Sequence, residues 1–181
     1  AELCSRKQLL PIVDMAYHGL GLGQEAESEG LMHLINTQTE MLLCYTCSKN
    51  FGLYRERTGL VMAMVPDASS KDLLDDQWKQ LATRHYFTPP AHGASLVKKI
   101  LSDTTLRDNW LGELSVIRER LQDVRAKLAD AMMQAVPQRN WEFLRKGHGM
   151  FALFPLSRAE ILKLREQHSI YIVDNGRVNL S

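Results

Sequence analysis

Apolar positions along this chain come in two kinds of run: short unbroken ones, and longer ones spaced at three and four residues. The first kind predicts buried strands and the second predicts helices with one apolar side. Residues 2–10 have helical spacing, stopped by Pro11. Residues 12–17 form a short apolar strand that carries Asp14 and Tyr17. His18-Gly19-Leu20-Gly21-Leu22-Gly23 reads as a flexible loop; it lacks the wider third-glycine spacing of a dinucleotide fingerprint. Residues 25–37 predict a helix with an acidic first turn, as the helix dipole favours. Residues 41–47 and 59–65 predict two further strands. Asp67 to Ser70 make a turn and cap for a helix over 71–86, Pro89-Pro90 breaks it, and another helix follows over 91–102. Over 105–135 Leu111, Leu114, Ile117, Leu121, Val124, Leu128 and Met132 form one long stripe, ended by Pro137.

After that helix the pattern changes. Residues 141–144 and 150–154 predict strands joined through Gly147 and Gly149. Ser157 caps a helix to His168, and 170–173 and 178–180 predict two short strands around the turn signal Asn175-Gly176. Alternating strands and helices in the first part predict an α/β sheet with covering helices. The second part predicts a small α+β unit, with the long helix leading into it. The expected division is 1–110 and 111–181.

Composition narrows the function classes. A length of 181 residues suits one or two domains, and a net charge of +1 gives no bulk field favouring nucleic acid or an anionic membrane. No apolar run approaches the ~20 residues of a membrane span. The start, Ala1-Glu2-Leu3-Cys4-Ser5, has no signal-peptide pattern. Of three cysteines, Cys44 and Cys47 form a C-x-x-C inside a predicted strand, whereas redox pairs open a helix; no second C-x-x-C completes a zinc site. The pair reads as structural, and reduced thiols favour the cytosol or a similar compartment.

Chemistry concentrates between Leu43 and Gly59. The strand turns polar at Thr46-Cys47-Ser48-Lys49, and Arg57 follows eight positions after the lysine. A poised lysine at a strand end can hold an aldehyde as a Schiff base. A hydroxyl at Thr46 or Ser48 and the Arg57 guanidinium can bind a phosphate in the same place. An aldehyde and a phosphate on one small molecule describe pyridoxal 5'-phosphate; a strand, a basic turn and another strand is the structural alternative. Asp14, within an apolar strand, needs a cationic partner to offset desolvation, and a protonated pyridine nitrogen would serve. Tyr17 lies three residues on, within reach of the ring's hydroxyl oxygen.

Five blocks occur in a telling order: Asp14-Met15-Ala16-Tyr17-His18-Gly19; the run from Ser48-Lys49-Asn50-Phe51-Gly52-Leu53-Tyr54 through Arg57-Thr58-Gly59; Pro89-Pro90-Ala91-His92-Gly93; Gly147-His148-Gly149-Met150-Phe151; and Gly176-Arg177-Val178. In these the chain resembles the class I (fold-type I) pyridoxal-phosphate aminotransferases, in their aspartate/aromatic subgroup, over nearly its whole length. The resemblance implies a three-layer α/β/α large domain, present in part, and a small α+β C-terminal domain, joined by a long helix. It implies Lys49 as the Schiff-base lysine, Asp14 as the pyridinium partner, Tyr17 on the ring oxygen, Thr46, Ser48 and Arg57 on the cofactor, and Arg177 on the substrate α-carboxylate. The implied reaction moves the amino group of aspartate, glutamate or an aromatic amino acid to 2-oxoglutarate or oxaloacetate. The implied setting is a homodimer in the cytoplasm, or alternatively the mitochondrial matrix, without metal, nucleic acid or membrane. A β-lyase on the same scaffold, or an inactive fragment serving assembly, are the alternatives.

Two departures stand out. The arginine that dicarboxylate enzymes of the family lend from the partner subunit falls, counted back from Pro89-Pro90, on Thr83, with Arg84 one step off. One residue along a helix turns a side chain by about 100°, so either a one-residue deletion realigns Arg84 as the substrate-binding arginine or this enzyme reads the distal carboxylate differently. Phe87-Thr88 replace the family's Ser-Asn at the subunit contact. The chain is also short for the family: it resembles the middle and C-terminal part, without the glycine-containing phosphate loop, the ring-stacking aromatic and the asparagine beside the ring oxygen.

Overall fold

The structure is a computed structural model describing residues 1–181. In chain order the first elements are α1 (Glu2–Lys7), β1 (Ile12–Met15), α2 (Gln24–Thr37), β2 (Met41–Thr46), β3 (Gly59–Met64), α3 (Ala68–His85) and α4 (His92–Ser102). The remainder are α5 (Thr104–Ala135), α6 (Glu142–Lys146), β4 (Phe151–Leu153), α7 (Arg158–His168) and β5 (Arg177–Asn179). The chain divides into two compact units, residues 1–19 with 23–112, and 20–22 with 113–181. No helix is long and apolar enough to cross a membrane.

In the first unit β1, β2 and β3 form one sheet in that order. β1 and β2 run parallel, Asp14 opposite Cys44, and α2 is the crossover that parallel strands require. β2 and β3 run antiparallel, Thr46 opposite Gly59, so loop 47–58 joins two adjacent strand ends. Side chains alternate across a strand, so Asp14, Cys44 and Thr46 share one face and Leu43 and Tyr45 the other.

Several expected boundaries shift. α1 ends at Lys7 because Gln8 turns left-handed (φ 51°) and its N–H and that of Leu9 close back onto Ser5 and Cys4. α3 begins at Ala68, earlier than expected, because the Asp67 carboxylate accepts the Ser70 N–H at 2.8 Å and caps the helix there. The loop at residues 18–23 is tied to α2 at both ends. Glu27, in the first turn of α2, accepts the Gly19 N–H at 2.6 Å and the Gly23 N–H at 3.1 Å.

The second unit is built on a core of Ala129, Trp141, Leu144, Ala152 and Leu180, with Val124, Leu128 and Met132 packed against it. The buried side of α5 is Leu114, Leu121, Arg125 and Ala129, whereas Leu111 and Ile117 are exposed. Residues 141–144 form no strand. Trp141 is the N-cap of α6, its indole N–H donating to the Val136 carbonyl at 3.0 Å, and Asn140 accepts the Glu142 N–H. A four-residue apolar run has no period that separates strand from helix, and local bonds decide it. Residues 170–173 likewise form no strand: β5 pairs only with β4, and Tyr171 is exposed.

Ser157 and Glu160 form a full capping box on α7, as the sequence predicts for Ser157, and Arg139 pairs with Glu160 at 2.5 Å. The Ser157 N–H, the Ser157 hydroxyl and Arg139 together hold the Glu160 carboxyl down from 4.5 to about 2. Such a depressed carboxyl stabilises the fold above its unfolded value and loses that contribution as pH falls through the folded one. Acidification from pH 4.5 toward pH 2 should therefore fray the start of α7. Far-UV circular dichroism of the native protein and of Glu160→Gln checks this: the variant should already lack the cap at neutral pH and show a flatter acid limb.

Candidate active site

Both parallel strands deliver their chemistry at their carboxyl ends, where open α/β sheets bind ligands. β1 runs out through Asp14 to Tyr17, and β2 through Thr46 to Lys49. The Lys49 ammonium stands over the Tyr17 ring, 4.8 Å from its centroid, a cation–π distance. The structure thus brings Lys49 and Tyr17 together.

A polar cradle lies beside the lysine. Thr46 Oγ1 and Ser48 Oγ are 2.8 Å apart, and the Ser48 N–H donates to Thr46 Oγ1 at 3.2 Å. Thr46 and the Cys47 N–H both donate to the Thr58 carbonyl, at 3.4 Å and 3.0 Å. Those bonds tie the start of the loop to its end, where Arg57 precedes Thr58. Arg57 sits in the left-handed region (φ 52°), an uncommon conformation for a non-glycine residue. Its guanidinium donates to the Tyr54 carbonyl at 2.9 Å and pairs with no carboxylate, so donors remain for an anion.

Gly93, in the first turn of α4, supports this loop. A Cβ there would stand 1.9 Å from Thr58 Oγ1 and 2.8 Å from Glu56 Cβ, so only glycine lets the helix approach the Arg57 turn. Two hydroxyls and a guanidinium with donors to spare are groups that bind a phosphate. With an amine and a phenol adjacent, the residues present fit pyridoxal phosphate.

Asp14 departs from expectation in one respect. It is exposed, as are Ile12 and Val61 on the same face, because residues 1–181 lay no further layer over that face. The desolvation that would demand a cationic partner is therefore absent here, although Asp14 sits on the same sheet face as Thr46. Cys44 and Cys47 are free, and burial pushes the Cys47 thiol up, away from a reactive thiolate.

Arg177 belongs to the second unit. It is exposed on β5 opposite Leu153, with its guanidinium 4.9 Å from the centroid of the Phe151 ring. Gly176 before it has φ 77°, and a Cβ there would lie 2.4 Å from the Phe154 carbonyl. Thr83 and Arg84 are both exposed in the last turns of α3. The Thr83 hydroxyl donates back to the Lys79 carbonyl at 2.8 Å, and Arg84 forms no ion pair. Phe87, also left-handed (φ 59°), closes α3 through its N–H to Ala82 and is fully outward.

Sequence reasoning missed two groups of residues. One is Tyr45, His18 and Asn50 behind the lysine: Asn50 Nδ2 donates to Tyr45 Oη at 2.7 Å and to the His18 carbonyl at 3.2 Å. The other is Arg125, buried to 2 % exposure, which donates to the carbonyls of Leu144, His148, Gly149 and Phe151. Only Tyr45, a phenol within the apolar run of β2, left a signal in the sequence; His18, Asn50 and Arg125 lie outside any unbroken apolar run.

The fold and this lysine-centred site define an α/β protein of the aminotransferase type. The chain belongs to the family of class I and II aminotransferases, which matches residues 1–181. It is 39% identical to a tyrosine aminotransferase of Rhizobium meliloti (strain 1021) over 184 residues, covering 100% of this chain and 46% of that protein. It is 37% identical to an aspartate aminotransferase of Escherichia coli (strain K12), again over 100% of this chain and 46% of the relative. A solved aromatic-amino-acid aminotransferase from Burkholderia pseudomallei, covalently bound to pyridoxal phosphate, superposes with a TM-score of 0.90 at 29% identity, over 99% of this chain and 45% of that one. The chain spans about half the length of the relatives it matches.

Proposed function

We propose that this chain carries the lysine half of a pyridoxal-phosphate site, and that the protein transfers the amino group of aspartate, glutamate or an aromatic amino acid to a 2-oxo acid. In this reading residues 1–110 are part of a three-layer α/β/α large domain and 111–181 are the long helix and part of a small α+β domain. The working enzyme is a homodimer. The observation that carries the reading is the Lys49 amine over the Tyr17 ring, beside the Thr46–Ser48 hydroxyl pair. The tyrosine and aspartate aminotransferases among its relatives favour transamination over β-elimination or an assembly role.

When bound, the cofactor supplies an electron sink for the substrate's α-carbon. The protein's residues do the rest. Lys49 provides the amine that anchors the aldehyde and then moves the proton at the α-carbon. Tyr17 holds a hydrogen bond to the ring oxygen. Thr46, Ser48 and Arg57 bind the phosphate, and the bidentate geometry of Arg177 suits the α-carboxylate every substrate shares. Borohydride reduction of the cofactor-loaded protein followed by peptide mapping should place the pyridoxyl group on the peptide containing Lys49. A label on Lys98 or Lys99 would overturn the assignment.

Specificity turns on α3. Thr83 has spent its hydroxyl on its own helix, whereas Arg84 is unpaired, so Arg84 is the better partner for a distal carboxylate. A charge-assisted bond is worth about 1.5–3 kcal/mol, roughly ten- to a hundredfold. Arg84→Leu should cost aspartate that much in kcat/KM and leave tyrosine and phenylalanine nearly untouched. An equal loss for both classes makes Arg84 structural.

A further inference from the structure

We propose that Asn50, with Tyr45 and His18, is a positioning clamp that sets the Lys49 amine over the Tyr17 ring. It rests on the reading of Lys49 as the cofactor lysine. Asn50 follows Lys49 in the chain, and His18 follows Tyr17. The amide of Asn50 donates to the His18 carbonyl and to the Tyr45 hydroxyl, at 3.2 Å and 2.7 Å. A single side chain therefore joins the residue after the lysine to the residue after the tyrosine. The spacing of the two turns, and with it the 4.8 Å amine-to-ring distance, hangs on that bond.

Directionality supports the clamp. His18 Nε2 faces the Gln24 carbonyl and Ser28 Oγ, both at 3.1 Å. A carbonyl only accepts, and Ser28 already donates to it at 2.7 Å, so Nε2 is the donor there. Tyr45 Oη accepts from Asn50 and donates in turn to His18 Nδ1 at 3.1 Å. The chain of donors runs one way, from Asn50 through Tyr45 and His18 into the first turn of α2.

Asn50 is 4 % exposed, and its Oδ1 has no partner. The amide leaves one of its own atoms unsatisfied while both acceptors are served. Flipping it would set Oδ1 against the His18 carbonyl, oxygen on oxygen. On the far side the Asn50 carbonyl accepts the Trp110 indole N–H at 2.7 Å, and Phe51 stacks on that indole at 4.3 Å, so the clamp is braced from α5 as well. Burial raises the Tyr45 phenol further above its ordinary value, which keeps its proton on the relay.

The test uses the intact polypeptide and two variants, Asn50→Ala, which removes both bonds, and Tyr45→Phe, which keeps the ring and removes only the hydroxyl. The first readout needs no cofactor: acylation of Lys49 by an amine reagent, measured as a ratio to Lys99 in the same sample. Losing the ring contact should raise that ratio roughly two- to fivefold, the equivalent of an exposed cation–π contact. Lys99 is already exposed, so general loosening would raise the ratio as well, but only together with a lowered urea midpoint; a rise seen only with such a fall in both variants overturns the clamp. The second readout is turnover of the loaded protein. A misplacement on the order of 1 Å should lower kcat by about a hundredfold in Asn50→Ala, with KM within a few-fold. An unchanged labelling ratio in both variants overturns the clamp, whatever the activity. A raised ratio with unchanged kcat leaves the clamp standing and removes Lys49 as the reacting lysine, which the borohydride label decides independently.

Discussion

Asp14→Asn is expected to lower kcat/KM of the intact protein by about a thousandfold while the protein still binds pyridoxal phosphate. β1 places Asp14 on the sheet face it shares with Thr46, one strand from the lysine. A carboxylate at the cofactor's ring nitrogen holds a proton there, and a neutral amide of the same shape cannot. Preorganised charge of this kind is worth about two to three orders of magnitude for a single lost donor or dipole, and a full charge is worth at least as much. The Thr46 and Ser48 hydroxyls and the Arg57 guanidinium are untouched, so binding is expected to survive where turnover does not. Steady-state kinetics with a dicarboxylic and an aromatic donor, beside an absorbance titration with the cofactor, separates the two quantities. A variant within a few-fold of the native rate would mean that Asp14 does not face the ring.

The second large effect concerns stability. Arg125→Leu should destabilise the second unit by several kcal/mol, at about 1–3 kcal/mol for each buried carbonyl left without a donor. Arg125 is a buried cation with no carboxylate beside it; desolvation lowers its pKa, and carbonyl dipoles compensate. Leu144 O lies in the last turn of α6, where helix carbonyls lack partners, so Arg125 serves as the cap of that helix. The Gly149 and Phe151 carbonyls lead into β4, and β4 pairs with the strand that bears Arg177. Gly147 makes room: a Cβ there would stand 2.7 Å from Arg125 Nη1. Arg125→Lys should recover little, because one ammonium cannot fork to four carbonyls. Urea unfolding monitored by the fluorescence of Trp141 measures the loss, and a change below about 1 kcal/mol would show that the carbonyls find other donors.

Much of the candidate site was legible because its residues are contiguous and chemically unusual for their place. A lysine at a strand end, hydroxyls beside it and an arginine in the returning loop are visible without any tertiary information. The helices α2, α4 and α5 and the strands β2 and β3 were equally plain from period alone. Arg125 was not, because a charge one step from an apolar stripe reads as the solvated side of a helix. Here Leu121, Arg125 and Ala129, four apart, are the buried line. Tyr45 was read as one apolar residue in a strand; its hydroxyl acquires a role only when parallel pairing brings the turn at His18 to it. The assignment of 141–144 failed because a strand needs a partner and that stretch has none, whereas its own turn bonds suffice for one turn of helix. The exposure of Asp14 could not be read at all, since burial depends on what covers a face and not on the strand that bears it.

The hairpin that closes loop 47–58 also orders events in time. Its contacts join neighbours in sequence, and β2 and β3 can zip without waiting for a distant segment. β1 can pair with β2 only after the whole of α2 has been folded back across the sheet, a longer closure with a larger entropic toll. Lys49, the two hydroxyls and Arg57 are thus expected to assemble as one early unit, with Asp14 and Tyr17 joining later. Pulsed hydrogen exchange comparing the Cys47 amide, bonded across the hairpin at 3.0 Å, with the Leu42 amide, bonded to Pro11 at 2.9 Å, reads that order directly.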